Sequence, residues 1–442
     1  MSTAVAEPTR GVAATARPPA AGSPRRRLYL FTALPPQRNG LADYILEYIV
    51  PLARDHDLSL VSESGHTRAA RAAMAALQLP AEFEVIDEAV FMARQPESHA
   101  QMFYNIGNNG DCAYMLDYMH RYPGVVIVHD ISLFYLHQET LHRARANGML
   151  SDWMAYDGHT VPTDFIQRDG SLHRTPGTLY QECLMVRRIA ETATGLMLHS
   201  RYAEFRFMGG AHGVPMGSLN GKPVALIPHF VLPPAPVHDD APAVLQRFGV
   251  EPGDFVMLVP GFLTGNKMLY EVLAAYQRAR TVHADLKLIF AGEERASEYA
   301  VSEHIAMLWP AGDGPTVTGY LSATDLDILL GRADLSFVLR YPTYGETSGI
   351  LPRAVMGGGR VVTVTIGSYP EFESPLVDHV SIGTKTVAQL EACILRARAA
   401  HDTQEPRAQR RAAEAVRAAE RSPSALYPRV AELLRQAWEI RG

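Results

Sequence analysis

Cysteine is scarce in this chain. Cys112, Cys183 and Cys393 are the only cysteines among 442 residues, and no two of them form a CxxC pair. This spacing excludes a zinc knuckle and gives no sign of a disulfide framework. Because so few cysteines in a long chain are typical of a reducing compartment, we expect a cytoplasmic protein.

Long hydrophobic runs are also missing. No segment approaches the roughly 20 apolar residues that a helix needs to span a bilayer, so any contact with a lipid would have to be made from the membrane surface. Residues 1–27 lack the apolar core of a secretory signal and are rich in Ala, Pro, Gly and Arg. We interpret them as a disordered basic tail, whose arginines could make a peripheral contact with anionic lipid.

A strong excess of positive charge is absent as well. The formal net charge is −6, which argues against a nucleic acid as partner. The remaining composition, with 47% hydrophobic and 20% charged residues, is that of an ordinary globular protein. A chain of this length is too long for one hydrophobic core, so two domains are expected.

Apolar runs alternate with helical patterns over residues 28–230. Strands are predicted at 27–33, 58–61, 102–105, 124–128, 196–199 and 224–227. The first is followed by a glycine-bearing turn and a helix, which is the opening unit of a doubly wound sheet. Since these runs are apolar along their whole length, the strands should be buried on both faces of a parallel sheet. We predict a first Rossmann-like domain here, with a helical insert at 131–194.

A stiff, proline-rich segment at 228–236 separates this pattern from a second one and is a candidate hinge. Beyond it, strands are predicted at 255–259, 286–291, 335–339 and 360–365, and helices at 268–280 and 347–356. The alternation predicts a second Rossmann-like domain over 231–423. The last helix, at about 424–441, is expected to cross back over the first domain.

The segment from Arg340 to Gly349 carries the clearest indication of a ligand site. It follows a predicted strand and opens the predicted helix at 347–356, whose first N–H groups would face the carboxyl edge of the sheet and attract phosphate. Thr347 and Ser348 add hydroxyl donors, and Arg340 can bind phosphate through two hydrogen bonds. The alternative is that a hydroxyl only caps the helix and that Arg340 is a surface residue.

A second loop of this kind runs from Gly261 to Lys267. It too lies between a predicted strand and a predicted helix, which would place Lys267 at the mouth of the cleft between the domains. An ammonium group there could neutralise a diphosphate, whereas the alternative is a solvated lysine at a helix start.

The sequence resembles retaining GT-B glycosyltransferases of family 4 over nearly all of residues 28–440. The resemblance rests on four motifs in this order: PPQRNGLADY at 35–44; Gly107-Asn108-Asn109 with the later Tyr122-Pro123-Gly124 and His129-Asp130; Gly261 with Asn266-Lys267; and Arg340 with Gly345-Glu346-Thr347-Ser348-Gly349. It implies an α/β GT-B fold, in which two Rossmann-like domains face each other across a cleft. It also implies a nucleoside-diphosphate sugar as donor substrate.

The resemblance assigns the donor diphosphate to both domains. Gly40 would lie in the loop of the first domain that the diphosphate approaches. Lys267 and Arg340 would hold the diphosphate from the second domain, near Gly261 and Gly349.

The resemblance also assigns the two ends of the donor. Gly319 and Tyr320 stand where the family places the nucleobase, and Glu346 would reach hydroxyls of the donor sugar. His129 would lie near the transferred sugar on the opposite side of the cleft. The alternative for His129 is a core imidazole that is hydrogen bonded to the backbone.

The sequence departs from the family at two positions. Ala354 replaces a second glutamate that commonly binds the ribose, and Phe262 replaces an arginine that often follows the glycine of the Gly261 loop. Ribose recognition must then come from elsewhere, for which Glu371 is a candidate, and Arg340 could replace the missing arginine. These departures leave the identity of the nucleotide open.

Metal and dinucleotide sites are not predicted. Asp325 and Asp327 imitate an Asp-x-Asp metal motif, but the apolar residues around them indicate a helix with a solvated face. His129 and His137 are eight residues apart and lack a third ligand. No GxGxxG sequence follows a strand, which disfavours a NAD-linked enzyme.

These observations favour an enzyme that moves a sugar from a nucleoside-diphosphate donor to a glycan, lipid-linked or protein acceptor with retention of configuration. Three alternatives remain open. The chain could be a non-catalytic subunit that binds nucleotide sugars, which the presence of Ala354 makes plausible. It could also be another GT-B enzyme, such as a sugar-nucleotide 2-epimerase or an inverting transferase, or a structural protein at a lipid surface.

Overall fold

Seven parallel strands form the first sheet. The computed structural model describes residues 25–96, 101–159, 181–209, 219, 221–235, 238–296, 299–401, 403 and 405–439. The strands are β1 (Arg26–Phe31), β2 (His56–Ser62), β3 (Phe83–Asp87), β4 (Gln101–Ile106), β5 (Val125–Val128), β6 (Gly195–Leu198) and β7 (Val224–Leu226). Every residue of β4, β5 and β6 is buried, as expected for central strands that are covered on both faces.

Helices connect these strands. They are α1 (Gly40–Asp55), α2 (Thr67–Ala76), α3 (Glu88–Ala93), α4 (Ala113–Arg121), α5 (Phe134–Arg143), α6 (Leu150–Tyr156), α7 (Arg187–Thr192) and α8 (Arg201–Gly209). The start of α1 is fixed by Asn39, whose side-chain oxygen accepts a hydrogen bond of 2.9 Å from the N–H of Ala42. Helix α1 then buries one face, including Tyr44 and Tyr48, against the sheet.

The strand order of the first sheet is β3-β2-β1-β4-β5-β6-β7. β1 pairs with β2 on one side and with β4 on the other, so the chain reverses its direction of travel across the sheet between β1 and β4. Ligands of doubly wound sheets bind in the crevice beyond the carboxyl ends of the strands at such a switch point.

The second sheet has six parallel strands in the order β10-β9-β8-β11-β12-β13, with its switch point between β8 and β11. The strands are β8 (Phe255–Pro260), β9 (Leu286–Ala291), β10 (Thr316–Val317), β11 (Leu335–Phe337), β12 (Arg360–Val364) and β13 (Val377–Val380). The helices are α9 (Ala241–Arg247), α10 (Leu269–Arg280), α11 (Val301–Leu308), α12 (Ala323–Arg332), α13 (Ile350–Met356) and α14 (Thr386–Ala400).

The last two helices are α15 (Arg407–Ala418) and α16 (Pro423–Glu439), and α16 returns to the first sheet. The side-chain amide of Gln101 in β4 donates a hydrogen bond of 2.6 Å to the carbonyl of Leu434 in α16. Apolar residues of α16 belong to the hydrophobic core beneath the first sheet. The chain therefore crosses between the domains twice, and the N–H of Val231 on the first crossing donates to the carbonyl of Arg421 on the second, at 2.8 Å.

The predicted α/β architecture of two doubly wound domains is confirmed, and three details were wrong or missed. β3, β10 and β13 were not predicted. α13 begins at Ile350 and not at residue 347. Arg26 and Arg27 belong to β1, so they are not part of a disordered tail.

Two other predictions lie wholly or partly outside the described residues, namely the tail at 1–24 and the part of the helical insert at 160–180. Among the helices that the structure does describe, none combines the length and the apolar character that a membrane crossing requires.

Candidate functional site

The switch points of the two sheets hold Gly40, the Gly261 loop and Arg340. Gly40 follows β1 in the first domain, while the loop from Gly261 to Lys267 follows β8 and Arg340 follows β11 in the second. Because β8 and β11 are neighbours, the structure brings Arg340 and the Gly261 loop together. Gly40 is exposed, and the space where a side chain would stand at this position is open.

Arg340 joins this loop to the turn that follows β11. Its Nη1 donates to the side-chain oxygens of Asn266 at 2.8 Å and Thr264 at 3.3 Å. Its Nε lies 3.2 Å from Oε1 of Glu346. The guanidinium is half-buried and held from two sides, so its orientation is fixed before any ligand arrives, as electrostatic stabilisation of a phosphate requires.

Lys267 is buried beneath its loop, and the prediction that it stands at the mouth of the cleft was wrong. Its side chain is only 8% exposed, and its Nζ donates a hydrogen bond to the carbonyl of Pro260. Gly261 closes the loop over it with φ of +84°, and a Cβ at Gly261 would lie 2.9 Å from Nζ. Burial, together with the charge of Arg340, lowers the pKa of Lys267 well below its usual value.

The turn before α13 carries the remaining polar groups of the second domain. Oε2 of Glu346 accepts hydrogen bonds from the N–H of Tyr344 at 2.6 Å and the hydroxyl of Thr343 at 3.1 Å. The hydroxyl of Ser348 accepts from the N–H of Leu351 at 3.2 Å, which is the capping role left open as an alternative.

Thr347 differs from its neighbours in this turn. Its hydroxyl is buried and has no hydrogen-bond partner among the described residues. Since a buried hydroxyl without a partner is costly, it marks a place where a ligand could bind. The helical contribution to this site is small because α13 has only 7 residues and starts after Gly349.

The first domain presses directly against this turn. The N–H of Ser132 donates a hydrogen bond of 2.9 Å to the carbonyl of Tyr344. A Cβ on Gly345 would lie 2.6 Å from Cβ of Ile131, so only glycine fits between the two domains here. The site is therefore built by both domains in contact.

Asp130 is a site residue to which the sequence assigned no role. Its carboxylate accepts a hydrogen bond of 2.7 Å from the N–H of Asn108. Burial raises the pKa of Asp130 to about 6, the bond from Asn108 lowers it, and the nearby charges of Glu346 and Arg340 act in opposite directions. Asp130 directly precedes Ile131 and Ser132, which contact the turn of the second domain at Gly345 and Tyr344. Its position directly after a buried strand was the available signal.

Three histidines stand beyond the ends of β5, β6 and β7. They are His129, His199 and His229, and their rings lie around that of Tyr44, with centroid distances of 4.6, 5.3 and 5.0 Å. His129 was predicted at the site, whereas His199 and His229 were missed. Only the repetition of one residue type beyond three successive strand ends could have indicated them.

His129 and His199 have polar neighbours at both ring nitrogens. Nε2 of His129 lies 2.6 Å from Oδ1 of Asn105, and its Nδ1 lies 3.1 Å from Nε2 of His199. Nδ1 of His199 lies 2.9 Å from the carbonyl of Ile227. Burial lowers the pKa of both rings. Since Oδ1 of Asn105 and the carbonyl of Ile227 only accept, two neutral rings carry their hydrogens on Nε2 of His129 and Nδ1 of His199, and the contact between the rings then has no hydrogen.

The predicted nucleobase position is open and aromatic. Gly319 faces open space, and Tyr320 is 49% exposed. Arg38 of the first domain covers the ring of Tyr320, with 4.1 Å from its guanidinium carbon to the ring centroid. Phe262 lies near the same ring, with 6.3 Å between centroids.

Glu371 and Ala354 do not extend this site. Both carboxylate oxygens of Glu371 accept hydrogen bonds from α8 in the first domain, from the N–H groups of Arg201 at 2.8 Å and Tyr202 at 2.7 Å. The expectation that Glu371 binds ribose is not supported by this arrangement, because its oxygens are already engaged. Ala354 is 1% exposed and packs into the core of the second domain.

The acidic residues that imitate a metal motif serve as ion-pair partners. Asp325 pairs with Arg247 at 2.8 Å, and Asp327 pairs with Arg353 at 2.7 Å. His137 is bonded to the carbonyl of Met185 at 2.8 Å. Over the described ranges, the structure shows no group of three histidine, cysteine or acidic side chains that could hold a metal ion.

Comparison by sequence identifies no relative, since no family model and no curated protein matches the chain. Solved structures do share its fold. The Anabaena protein HepE in complex with UDP-glucose superposes with a TM-score of 0.61 at 14% identity, covering 92% of this chain and 99% of that one.

Two further structures agree with this comparison. A glycosyltransferase from Rickettsia africae gives a TM-score of 0.56 at 11% identity over 93% of this chain and 98% of its own. Sucrose-phosphate synthase from Thermosynechococcus elongatus gives 0.57 at 13% identity over 94% of this chain and 100% of its own. Similarity at such identities shows the fold and not the activity. The chain therefore has the GT-B fold of these glycosyltransferases, with two Rossmann-like domains facing each other across a cleft.

Proposed function

We propose that this protein is a glycosyltransferase that moves a sugar from a nucleoside-diphosphate sugar to an acceptor hydroxyl with retention of configuration. One observation carries the proposal: Arg340 and the unpartnered hydroxyl of Thr347 lie at one switch point, opposite the segment of the first domain that begins with Asp130. On one side of the cleft, the guanidinium of Arg340 and the free hydroxyl of Thr347 suit a phosphate. On the other side, polar groups of the first domain suit the sugar that is attached to it.

The nucleotide sugar would extend from this phosphate position in two directions, with its nucleobase on one side and its sugar on the other. The diphosphate would lie between Arg340 and the turn at Thr347, and the nucleobase beside the exposed ring of Tyr320. The sugar would then lie between Glu346 and His129. Lys267 would act indirectly, by supporting the Gly261 loop from below. The UDP-glucose that is bound to HepE, a protein of the same fold, supports a nucleotide sugar as ligand.

The chemistry requires stabilisation of a leaving group. The bond between the anomeric carbon and the β-phosphate oxygen breaks, a bond to the acceptor oxygen forms, and the acceptor proton passes to the departing phosphate. Negative charge grows on that phosphate, where Arg340 is already oriented by Asn266 and Glu346. Charge stabilisation by groups that are oriented in advance is the main source of rate acceleration in such sites.

Thermal-shift measurements with UDP-, GDP-, ADP- and dTDP-sugars test the donor. Ligand binding to the folded state appears as added stability, so one donor should raise the melting temperature. Transfer to a panel of glycan, lipid-linked and protein acceptors should then follow, and the anomeric proton in the NMR spectrum of the product should show retention. Binding without transfer to any acceptor would indicate a non-catalytic subunit. An inverted product would indicate the inverting transferase left open as an alternative.

A further inference from the structure

His229 differs from the other two histidines of the site. Its Nδ1 lies 2.9 Å from the carbonyl of Phe230, and since a carbonyl only accepts, Nδ1 must carry a hydrogen. The neutral ring then presents Nε2 as a lone pair. No hydrogen bond to Nε2 is found within the described residues, whereas His129 and His199 have polar neighbours at both nitrogens.

The free nitrogen of His229 points across the cleft. A Cβ at Gly349 of the second domain would lie 3.2 Å from Nε2, so the imidazole edge touches the turn that carries Thr347 and Ser348. Gly349 has no side chain to cover Nε2, and Thr347, two residues earlier in the same turn, carries the unpartnered hydroxyl. His229 thus brings a ring nitrogen of the first domain to the turn that carries the proposed phosphate position.

Among the residues that the structure describes, no carboxylate near His229 is free to stabilise a positive charge on its ring. In the first domain the ring of His229 faces Tyr44 and His199, and His199 in turn contacts the ring of His129. In the second domain it faces the turn at 347–349, which has no charged side chain, and the adjacent Glu346 is engaged with Arg340 and with the N–H of Tyr344. A bound phosphate would therefore supply the missing counter-charge.

We propose that His229 takes up one proton from solvent when the diphosphate of the donor binds, and then donates a hydrogen bond from Nε2 to a phosphate oxygen. This inference rests on the proposed function, because it requires a nucleotide sugar in the cleft. It adds a contact from the first domain to those of Arg340. The resulting imidazolium would also stabilise the charge that grows on the phosphate when the sugar leaves.

The proposal predicts the direction of the pH dependence. In the free protein, burial lowers the pKa of His229 from its ordinary value of 6.5, and the bond to Phe230 opposes this only in part. The ring is therefore neutral at pH 7.5, and a neighbouring phosphate raises its pKa. Donor affinity should increase as the pH falls from the pKa of the bound state to that of the free state, and should be constant outside this window.

Isothermal titration calorimetry in two buffers that differ in ionisation enthalpy measures the proton uptake. The probes are UDP-glucose, GDP-mannose, ADP-glucose and dTDP-glucose. Their phosphates do not titrate near neutral pH, unlike the terminal phosphate of a free nucleotide, for which a pKa of about 6 is usual. At pH 7.5 the wild-type protein should take up between about half a proton and one proton with the donor that binds.

Two substitutions distinguish the role of Nδ1 from the role of Nε2. The amide N–H of His229→Asn can still donate a hydrogen bond to the carbonyl of Phe230, but the variant has no group at the Nε2 position. It should therefore abolish the proton uptake and weaken binding of the nucleotide sugar roughly 10-fold. His229→Gln can place a neutral amide donor near the Nε2 position, and should bind within roughly 3-fold of wild type, without uptake. His66→Asn, at an exposed histidine of the same domain, should retain the wild-type uptake.

The outcomes are distinguishable. If none of the four donors binds, the proposed function fails and this inference with it. If a donor binds without proton uptake, or if His229→Asn takes up the same number of protons as wild type, the role of His229 is wrong and the proposed function stands. Circular dichroism of the variants shows whether a loss of binding reflects a loss of folding.

Discussion

The carboxylate of Glu371 and the N–H of Tyr202 lie 2.7 Å apart and belong to different domains. A second N–H, from Arg201, binds the other oxygen of the same carboxylate. Exposed N–H groups in the first turn of a helix favour a negative charge, so Glu371 stabilises the start of α8 and fastens the two domains to each other.

Replacing Glu371 by alanine should therefore weaken both the helix and the contact between the domains. We expect a loss of roughly 1–2 kcal/mol in the free energy of unfolding, as for the removal of a helix cap. Urea unfolding followed by circular dichroism measures the loss. Glu373→Ala provides a matched control, because Glu373 is exposed on the same segment. Equal stabilities of the two variants would show that the contact contributes nothing.

Arg340→Ala should lower turnover by roughly 10²–10³, since a preoriented group for the charge of the leaving phosphate is lost. Arg360→Ala is the matched control: this arginine is similarly exposed and also ion-paired, to Asp378 at 2.8 Å, but lies at the amino end of β12. Its turnover should stay within a few-fold of wild type. Steady-state kinetics with the nucleotide sugar identified by thermal shift measures the turnover of both variants. An unchanged turnover for Arg340→Ala would contradict its assigned role.

Gly261→Ala should disturb the loop over Lys267. The backbone has φ of +84° at Gly261, and the new Cβ would lie 2.9 Å from Nζ of the buried lysine. We expect a cost of roughly 1–3 kcal/mol in the free energy of unfolding. In Gly253→Ala the new Cβ would meet open space, so this variant should be close to neutral. The denaturant midpoints of Gly261→Ala and Gly253→Ala measure the two costs. Similar midpoints would mean that the loop does not require glycine at position 261.

Asp130→Asn should change how stability depends on pH. The pKa of Asp130 is raised in the folded protein to about 6 from an ordinary value of 3.8, so the folded state holds its proton more tightly than the unfolded state. The contribution of Asp130 to the stability of the wild type should then fall as the pH rises through this window, by an amount on the order of 3 kcal/mol, and stay constant above it. The asparagine variant lacks this contribution.

Unfolding of wild type and Asp130→Asn between pH 4 and pH 8 tests this linkage. As the pH rises to about 6, the free energy of unfolding of the wild type should fall relative to that of the variant. Above this pH the difference between the two proteins should be constant. Asp117→Asn, at an exposed aspartate of α4, corrects for general effects of removing a charge. A difference that does not vary with pH would show that Asp130 is not perturbed.

The fold could be predicted from the sequence because its central strands are uninterrupted apolar runs. Val125–Val128 and Phe255–Pro260 can only be buried on both faces, and the helices between such strands follow from connection rules. β3 and β13 were missed since edge strands alternate apolar with charged residues, and β10 because it has only 2 residues.

The candidate site was predicted in part, through residues that follow buried strands. Arg340 and the Gly261 loop come together because their strands are neighbours, which the order of a doubly wound sheet implies. Sequence does not tell whether a lysine side chain turns outward or beneath its own loop, so Lys267 was placed incorrectly. His229 was missed because a lone histidine in a proline-rich connection gives no sign of what its ring faces.

The return of α16 to the first sheet has a consequence for biosynthesis. Leu433 and Ala437 of this helix cover Gly195 of β6, about 240 residues earlier in the chain. While the ribosome is still making the second domain, that apolar surface has no cover, so the amino-terminal domain cannot reach its final state until α16 has been made. Nonsense mutations in the codons of α16 would thus damage the domain of the protein that was made first.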